Sequence, residues 1–446
     1  MAGFVAESVA RMRLLYNILF PFFLLFSAPF YFWKMCRRGN WRKGFGERFG
    51  LRDDALKKEL AGQRVMWLHA VSVGEANLCV ALVETLREKL DGWTFVVSTT
   101  TTTGMGELQA KLPAEVRTFY YPIDLFFCVR QTLDTVEPDA IVLLEAEIWP
   151  NLSWQAADRG IPVCLANARL SDRSERGYRR FGFLFKKCFV SLAAVGAQNE
   201  LDARRLQSIG CREKAIHVTG NLKFDGALST PEPTVDVSAI LQGLGAAADA
   251  PVIVAGSTHE GEERLLAEIF LKLKKQHPGL LLVIVPRHFE RAQSVGAQLK
   301  ETGISFAYRS KLAKDTRADC LVVDSTGELR LFYAAATVVF VGKSLTTHGG
   351  QNPIEPAALG KAMVYGPNMQ NFRAVTTAFA DADAALQVRN AAGLEVGLAA
   401  LLRDAKRRAE MGRNALGVVE QNQGATRRTT DMIARVLQTR SSDRPD

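Results

Sequence analysis

This chain of 446 residues lacks the features that mark disulfide-rich and metal-binding proteins. Its seven cysteines are an odd number, they are scattered, and no two of them form a Cys-x-x-Cys pair. That pattern argues against a disulfide framework or a structural zinc site, and it favours reduced thiols in a cytoplasmic compartment. The six histidines are dispersed, with no His-Glu-x-x-His sequence among them. We therefore predict no catalytic metal held by His or Cys.

The composition is that of a globular enzyme. Hydrophobic residues make up 48% and charged residues 23%, which excludes a disordered, collagenous or polytopic membrane protein. The net charge of +9 (56 − 47) means that the surface should attract an acidic partner. We do not expect nucleic acid to be that partner, because the chain lacks the interleaved basic and aromatic residues that bind single strands.

One long apolar run stands near the start of the chain. Residues 14–33 are twenty positions without a charge, long enough at about 1.5 Å per residue to cross a hydrocarbon core of about 30 Å. Pro21 and Pro29 make the run a poor spanning helix, so a segment that enters only one leaflet is an open alternative. A cleaved signal peptide is disfavoured because no Ala-x-Ala pattern follows. We predict a single membrane anchor with its basic flank at residues 1–44.

Positive charge is concentrated after this run. Two arginines precede it, at 11 and 13, whereas six Lys or Arg residues follow between positions 34 and 48, opposed only by Glu47. Because basic flanks stay on the cytoplasmic side of a membrane, we expect the body of the chain in the cytoplasm.

Beyond residue 60, short β-branched runs alternate with amphipathic stretches, as parallel sheets covered by helices require. Predicted strands lie at 64–70, 94–99, 140–145, 161–167, 192–198, 215–220, 251–257, 280–287, 320–324, 337–342 and 362–366. The pattern predicts an α/β protein with two doubly wound halves, an N-terminal domain at 45–225 and a C-terminal domain at 251–446, joined by a linker at 226–250. Such sheets bind ligands beyond the carboxyl ends of their strands, so we expect a cleft between the halves.

Glu75 is the strongest candidate for a catalytic base. It stands where the first predicted strand gives way to a helix, in the sequence HAVSVGE, and so falls in the first helical turn. A carboxylate there is stabilised by the helix dipole, and a purely structural cap is an equally good interpretation of its position. If the cleft opens at this point, Glu75 can accept the proton of a substrate hydroxyl.

The sequence GGQNPIEP at 349–356 is the strongest candidate for a nucleotide site. It follows the strand predicted at 337–342 and leads into a helix. Gly349 and Gly350 let backbone N–H groups approach a ligand, and the helix start is a natural anion site. Glu355, close to Asn352, could accept hydrogen bonds from both hydroxyls of a ribose. A glycine turn followed by Pro353 is the structural alternative.

Two other loops of the C-terminal half point to the same ligand class. Ser257 ends a predicted strand and could offer a backbone amide or hydroxyl to a phosphate. Arg287 and His288 end the next one, where the guanidinium offers a fixed fork to a phosphate or carboxylate.

A basic stretch at 169–187 carries seven cations against two carboxylates, a net charge of +5. If the stretch is helical, Arg169 and Arg173 share one face with the arginines at 176 and 180. Most charge runs are only solvated faces. Beside a membrane anchor, however, an anionic membrane surface or an anionic lipid is the better partner.

Several sequences, taken in order, resemble one known family. They are HAVSVGE, STTTTTG, YPID, EAEIWPN, NARLSDRS, GNLKFD, AGSTHEGEE, VPRH and GGQNPIEPAALG. Together they resemble, over nearly the whole chain, the bacterial Kdo transferases (3-deoxy-D-manno-octulosonic acid transferases) of lipopolysaccharide synthesis.

The resemblance implies a glycosyltransferase of the GT-B type, with two Rossmann-like domains facing a central cleft. It implies an inverting, metal-independent transfer of Kdo from CMP-Kdo to the lipid A precursor, lipid IVA, at the cytoplasmic face of the inner membrane. No cofactor is expected. By motif Glu75 is the general base, and Arg287, Asn352 and Glu355 fall in the CMP site. Weaker candidates for acceptor or Kdo contacts are Glu145, Glu147, Arg169 and Arg173, because caps and surface pairing explain such residues equally well.

Two rival functions stay open from the residues. A glycine loop and a ribose-binding glutamate also suit a membrane-associated GT-B transferase that uses a UDP-sugar. A non-catalytic, membrane-tethered nucleotide-binding regulator would need the same loop but no base.

Overall fold

The computed structural model describes residues 2–38, 42–228, 235–313 and 316–441. They divide into two compact units. One comprises the residues up to Leu222 and again those from Gly424 onward, and the other is Lys223–Gln423. The sequence instead predicted a linker at 226–250, of which residues 229–234 lie outside the described part. It also assigned the end of the chain to the C-terminal domain.

The first unit contains a parallel sheet of seven strands in the order β3-β2-β1-β4-β5-β6-β7. The strands are β1 (Arg64–Ala70), β2 (Trp93–Thr99), β3 (Arg117–Tyr120), β4 (Ala140–Leu144), β5 (Val163–Ala168), β6 (Ala194–Ala197) and β7 (Ile216–Val218). Six of them coincide with predicted strands. The short β3 was not predicted, because it has only four residues and the first of them is exposed. Continuous burial of β4 on both faces reflects the helices that cover the sheet.

Helices cover both faces of this sheet. They are α1 (Ala2–Arg38), α2 (Asp54–Leu60), α3 (Val73–Lys89), α4 (Thr102–Lys111), α5 (Phe126–Val136), α6 (Pro150–Asp158), α7 (Asp172–Arg180), α8 (Gly182–Ser191) and α9 (Glu200–Ser208). In α3 the leucines at 78, 82 and 86 are buried while residues 87–89 are exposed, so one side packs on the sheet and the other faces water.

The second unit repeats the plan with seven parallel strands in the order β10-β11-β9-β8-β12-β13-β14. The strands are β8 (Val252–Thr258), β9 (Leu281–Pro286), β10 (Phe306–Tyr308), β11 (Cys320–Val322), β12 (Val338–Val341), β13 (Met363–Tyr365) and β14 (Leu386–Gln387). The helices are α10 (Val237–Gly243), α11 (Glu262–Lys274), α12 (Ala292–Thr302), α13 (Leu329–Ala335), α14 (Ile354–Ala358), α15 (Arg373–Asp381), α16 (Ala391–Arg403) and α17 (Ala405–Gln421). The edge strands β10 and β14, of three and two residues, were not predicted because no apolar run of four or more residues contains them.

The last helix, α18 (Ala425–Ser441), packs on α3 and β6 of the first unit. Ala425, Met432 and Ile433 are buried there in one hydrophobic cluster with Leu222. The side chain of Arg428 also donates from Nε to the carbonyl of Thr219 at 2.8 Å. The assignment of all residues 251–446 to the C-terminal domain therefore differs from the structure, since the apolar side of α18 completes the core of the first unit.

The apolar run forms part of α1, which continues through Pro21 and Pro29. Within the described residues, Arg11–Phe30 is long and apolar enough to cross a membrane, with a mean hydropathy of 1.4. One side of this stretch is half-buried at positions that recur every three or four residues, namely 12, 13, 16, 17, 20, 24, 27 and 28. The opposite side exposes large apolar residues such as Leu19 and Phe26. The side chains of Lys34, Arg37 and Arg38, in the predicted basic flank, lie outside the described part.

A buried carboxylate attaches α1 to the body of the first unit. Asp124 Oδ2 accepts a hydrogen bond from the Tyr16 hydroxyl at 2.8 Å and from the Asn151 amide at 3.0 Å, while Oδ1 accepts from the Leu152 amide at 3.2 Å. The Asp124 carboxylate thus caps the start of α6 and also binds α1, the helix that contains the apolar run. Burial raises the pKa of Asp124 to about 7, against the lowering effect of these hydrogen bonds.

Substitution of Asp124 by Ala should lower the free energy of unfolding by about 2–4 kcal/mol, because it leaves two amides and a hydroxyl without their acceptor. The matched control is Asp158→Ala, which removes the exposed partner of Arg13 on the same helix pair and should cost less than about 1 kcal/mol. Urea unfolding of both variants in the same detergent measures the difference. Equal losses would show that Asp124 contributes no more than a surface ion pair.

Candidate active site

The predicted site residues of the first unit gather at the carboxyl ends of β1 and β4. These neighbouring strands pair in parallel, but the chain leaves β1 toward β2 on one side and leaves β4 toward β5 on the other. Such a switch in strand order opens a crevice at the sheet edge, where doubly wound proteins bind ligands. Glu75 follows β1, and Glu145 and Glu147 follow β4. The topology therefore brings three carboxylates to one crevice.

Glu75 is held in a capping box at the start of α3. Its Oε1 accepts a hydrogen bond from the Ser72 hydroxyl at 2.8 Å, and its Oε2 accepts one from the Val71 amide at 2.9 Å. In return, the Glu75 amide donates to Ser72 Oγ at 3.3 Å. The carboxylate is fixed at the crevice with 8% of its surface exposed. The cap and the base are compatible interpretations, because a carboxylate oxygen can accept more than one hydrogen bond.

Glu147 is a carboxyl group of this crevice whose acidity departs from its ordinary value. Burial, followed by the negative charges of Glu75 and Glu145, raises its pKa to about 7. The backbone of Glu145 has a positive φ of 58°, a conformation that bulky residues rarely adopt and that concentrates at functional sites. A carboxyl group with a pKa near neutrality can exchange protons at physiological pH.

An aromatic stack that sequence reasoning did not single out lies behind these carboxylates. The ring of Tyr121 lies 4.0 Å from that of His69 and 5.8 Å from that of Trp149. Burial lowers the pKa of His69 to about 3, so the imidazole is neutral at physiological pH. His69 Nε2 and the Tyr121 hydroxyl have no hydrogen-bond partner among the described residues. His69 lies in the quoted sequence HAVSVGE and Tyr121 lies in YPID. Their contact was not predicted, because no spacing along the sequence relates the two residues.

The two arginine candidates differ in position. Arg169 follows β5 and is half-buried, outside any helix, whereas Arg173 is exposed on α7. The stretch is divided among a loop, α7 and α8, so Arg169 does not share a helical face with Arg173. The two carboxylates of the stretch, Asp172 and Glu175, both pair with Arg205 of α9. Glu175 also pairs with Arg179 of α7 at 3.8 Å.

The second unit has its own switch point between β8 and β12, where the strand order again reverses. Ser257 lies at the end of β8, is buried, and has a positive φ of 54°. Lys343, just after β12, has a φ of 55°. Gly342 lies between them, and a Cβ on it would approach the Ser257 carbonyl oxygen to 2.5 Å. The two loops therefore pack so closely that only glycine fits at this point.

Glu262 fixes the loop after β12. Its carboxylate accepts hydrogen bonds from four backbone amides, those of His259 (2.9 Å), Lys343 (2.7 Å), Ser344 (2.9 Å) and Leu345 (3.0 Å). Burial raises the pKa of Glu262, and the four amides oppose that rise. Sequence reasoning missed this role, although Glu262 lies in the quoted AGSTHEGEE. A residue that anchors a loop 81 positions away has no local signal.

The sequence predicted that Gly349 and Gly350 would let backbone amides approach a ligand, but the structure gives these amides another role. The Gly349 amide donates to the Gln370 side chain at 2.9 Å, and the Gly350 amide donates to the Lys343 carbonyl at 3.0 Å. Both glycines have positive φ, and a Cβ on Gly350 would lie 2.5 Å from the Met369 sulfur. The pair therefore shapes a tight loop, and its amides are engaged within the protein instead of being open to an anion.

Glu355, at the start of the five-residue α14, is the centre of the remaining donor-site candidates. Asn352 donates from Nδ2 to Glu355 Oε1 at 3.0 Å and accepts the Ile354 amide at 3.1 Å. Burial raises the pKa of Glu355, while Asn352 and the charges of Arg330 and Arg287 lower it. The structure thus brings Arg287, which is exposed, near Asn352 and Glu355. Arg330 was not predicted, since it lies on α13 with no recognisable pattern.

His288 follows Arg287 and is exposed, with its ring 6.4 Å from that of His259. The nearby Glu263–Arg291 ion pair, 2.7 Å long, holds the short turn after β9 to α11. Among the described residues, no group of three or more His, Cys, Asp or Glu side chains is arranged to hold a metal ion. Independence from metal stays a prediction.

Comparison with known proteins identifies the family. Residues 43–226 match the family model described as 3-deoxy-D-manno-octulosonic-acid transferase (Kdo transferase). A 3-deoxy-D-manno-octulosonic acid transferase from Bordetella pertussis is 34% identical, over 90% of this chain and 94% of its own. One from Haemophilus influenzae is 31% identical, over 90% of this chain and 92% of its own. The chain belongs to the Kdo transferase family. The sequence similarity covers 90% of this chain, and the predicted resemblance is confirmed.

Solved structures place this Kdo transferase family member among GT-B folds. UDP-GlcNAc 2-epimerase from Neisseria meningitidis, solved bound to UDP-GlcNAc, superposes with a TM-score of 0.59 at 15% identity, over 84% of this chain and 100% of the epimerase. At this identity the similarity concerns the fold alone. The predicted class, two Rossmann-like α/β domains, is confirmed.

The raised pKa of Glu147 predicts a pH dependence of stability. In the unfolded chain a glutamate titrates near pH 4.3, so between about pH 4.5 and 7 the folded protein keeps a proton that the unfolded chain has released. The free energy of unfolding should therefore fall as the pH rises through this window. We expect Glu147→Gln to reduce that fall by about 1–3 kcal/mol, as measured by urea unfolding at pH 5 and pH 7.5.

The control for this measurement is Glu88→Gln, on the exposed side of α3, which should leave the fall unchanged. Asp124 titrates in the same window but is present in both variants, so the difference between them isolates Glu147. The same pH dependence in Glu147→Gln and the unaltered protein would contradict the assignment.

Proposed function

We propose that this protein transfers Kdo from CMP-Kdo to the lipid A precursor, lipid IVA, with inversion at the anomeric carbon of Kdo. The observation that carries the proposal is the similarity to Kdo transferases along more than nine-tenths of their length. The carboxylates at the switch point of the first unit and the Glu355 cluster of the second support it, because an inverting transfer needs a base and a nucleotide site.

In this proposal Glu75 is the general base. Its carboxylate takes the proton from a hydroxyl of the acceptor sugar while that oxygen forms a bond to the anomeric carbon of Kdo. The bond from this carbon to the phosphate oxygen breaks, and CMP leaves with the electron pair. The capping box keeps the Glu75 carboxylate in one orientation throughout, which reduces the reorganisation that the step requires.

Glu147 has a separate role from Glu75. With a pKa near 7 it can hold a proton and donate a hydrogen bond to a hydroxyl or carboxylate of the substrate while Glu75 acts as the base. Glu145, Arg169 and Arg173 are proposed contacts to the acceptor or to the Kdo carboxylate.

The second unit binds the donor in this proposal. Glu355 accepts hydrogen bonds from the ribose hydroxyls, and Asn352 orients its carboxylate. Arg287, beside this cluster, stabilises the negative charge that grows on the departing phosphate. Ser257, His288, Gly349 and Gly350 shape the surrounding loops. Because fixed positive charge supplies this stabilisation, the proposal requires neither a metal ion nor another cofactor.

We also propose that the protein works at the cytoplasmic face of the inner membrane, where a phosphorylated glycolipid is accessible. The apolar stretch of α1 and the cations of α7 and α8 support this location.

The donor assay separates this function from its rivals. Purified protein should convert lipid IVA to a heavier glycolipid with CMP-Kdo, and mass spectrometry should count the sugar units added. UDP-GlcNAc in place of CMP-Kdo should give no product. Product from UDP-GlcNAc alone would favour the UDP-sugar transferase, and CMP binding without any product would favour the non-catalytic regulator.

Glu75→Gln should lower kcat by at least about 100-fold, since the base is lost, while CMP binding is kept. Glutamine can occupy the same position of a capping box, so the fold should survive. The matched control, Ser72→Ala, removes the cap partner but keeps the carboxylate, and should cost about 1 kcal/mol of stability with most of the turnover retained. Full turnover by Glu75→Gln would remove Glu75 from the mechanism.

A further inference from the structure

A groove of about 740 Å³ lies between α1, α6 and α8 of the first unit, outside the candidate active site. Met12 and Arg13 contribute from α1, Trp154 from α6, and one side of α8 faces the groove at the successive-turn positions 183, 187 and 190. Its volume falls within the range of about 300–1,000 Å³ that is typical of sites for small organic ligands.

The groove is bordered by apolar side chains that face solvent. Phe183 is 58% exposed and Val190 is 40% exposed on α8. The outward side of α1 continues this surface with Leu15 and Leu19, which are 46% and 55% exposed. Large apolar side chains that face solvent beside one another mark an interaction site, and here they lie next to α1.

The groove also carries positive charge without a matching negative charge. Lys186 and Lys187 line it, and among the described residues no carboxylate forms an ion pair with either. Arg13 is the third cation, but it is already bound to Asp158 at 2.6 Å. No side chain caps the start of α8 at Gly182, which also lines the groove. Two lysines and an uncapped helix start favour an anionic group.

We propose that this groove binds an anionic glycerophospholipid of the surrounding bilayer. One acyl chain lies along Phe183, Val190 and Trp154, and the phosphate lies at Lys186, Lys187 and the start of α8. The bound lipid fills the space beside α1 and so fastens this helix to α6 and α8. The site is independent of the sugar-transfer proposal, because it uses none of the residues assigned to that reaction.

Native mass spectrometry of the full-length protein in detergent, after incubation with phosphatidylglycerol or phosphatidylcholine, tests the proposal. We expect one retained phosphatidylglycerol and at least about tenfold weaker retention of phosphatidylcholine. Ala157→Trp should abolish retention while leaving every charge in place, because Ala157 lines the groove at an exposed position where a large side chain can be accommodated. Lys186→Glu with Lys187→Glu should weaken phosphatidylglycerol binding at least about tenfold.

The charge-matched control is Lys57→Glu with Lys58→Glu on α2, which changes the net charge equally at a distant exposed site. It should keep the bound lipid.

Equal losses of phosphatidylglycerol in both double variants would show that the effect is only general electrostatic attraction, and would overturn the site. Retention of phosphatidylglycerol by Ala157→Trp would also overturn it. Preferential retention of lipid IVA over phosphatidylglycerol would assign the groove to the acceptor instead and overturn our choice of occupant. Sugar transfer from CMP-Kdo to lipid IVA is measured separately on Ala157→Trp. If this variant loses the bound lipid but keeps sugar transfer, only the groove has been lost, so the two proposals can fail independently.

Discussion

The parallel pairing of β1 with both of its neighbours is the constraint on which the candidate site depends. Parallel strands require every connection to cross a face of the sheet, so the loops that follow the strands all fall at one edge. Where the strand order reverses between β1 and β4, the two connections diverge and leave a crevice. Glu75 and Glu147 meet there although they are far apart along the chain. The second unit repeats this arrangement between β8 and β12, beside the loop that leads to Glu355.

The buried carboxylates show how local backbone geometry sets chemical character. Glu75, Asp124 and Glu262 each accept hydrogen bonds from backbone amides, and all three fix the start of a helix or a loop. Glu147 is different, since the influences that raise its pKa are burial and two like charges. Burial also raises the pKa of Asp124 to about 7, so a carboxyl group held by backbone amides can titrate near neutrality as well.

Helix α1 has an exposed apolar side and a side that makes polar contacts to the rest of the first unit. Its sequence alone did not show which residues belong to which side. Its exposed side is apolar enough for a bilayer, yet Arg13, Tyr16 and Asn17 on the other side make hydrogen bonds to α6 or to the buried Asp124. Such contacts along one side tie the helix to the first unit.

The sequence by itself determined every strand except the short β3, β10 and β14, together with the apolar N-terminal run, the family and the approximate place of Glu75 and Glu355. These features depend on local periodicity and on short contiguous sequences. Only the tertiary structure decided that α18 returns to the first unit, that Glu262 occupies the amides of a distant loop, and that Glu147 titrates near neutrality. Burial and charge at a residue are set by neighbours that folding brings from elsewhere in the chain, and no pattern along the sequence encodes which neighbours those are.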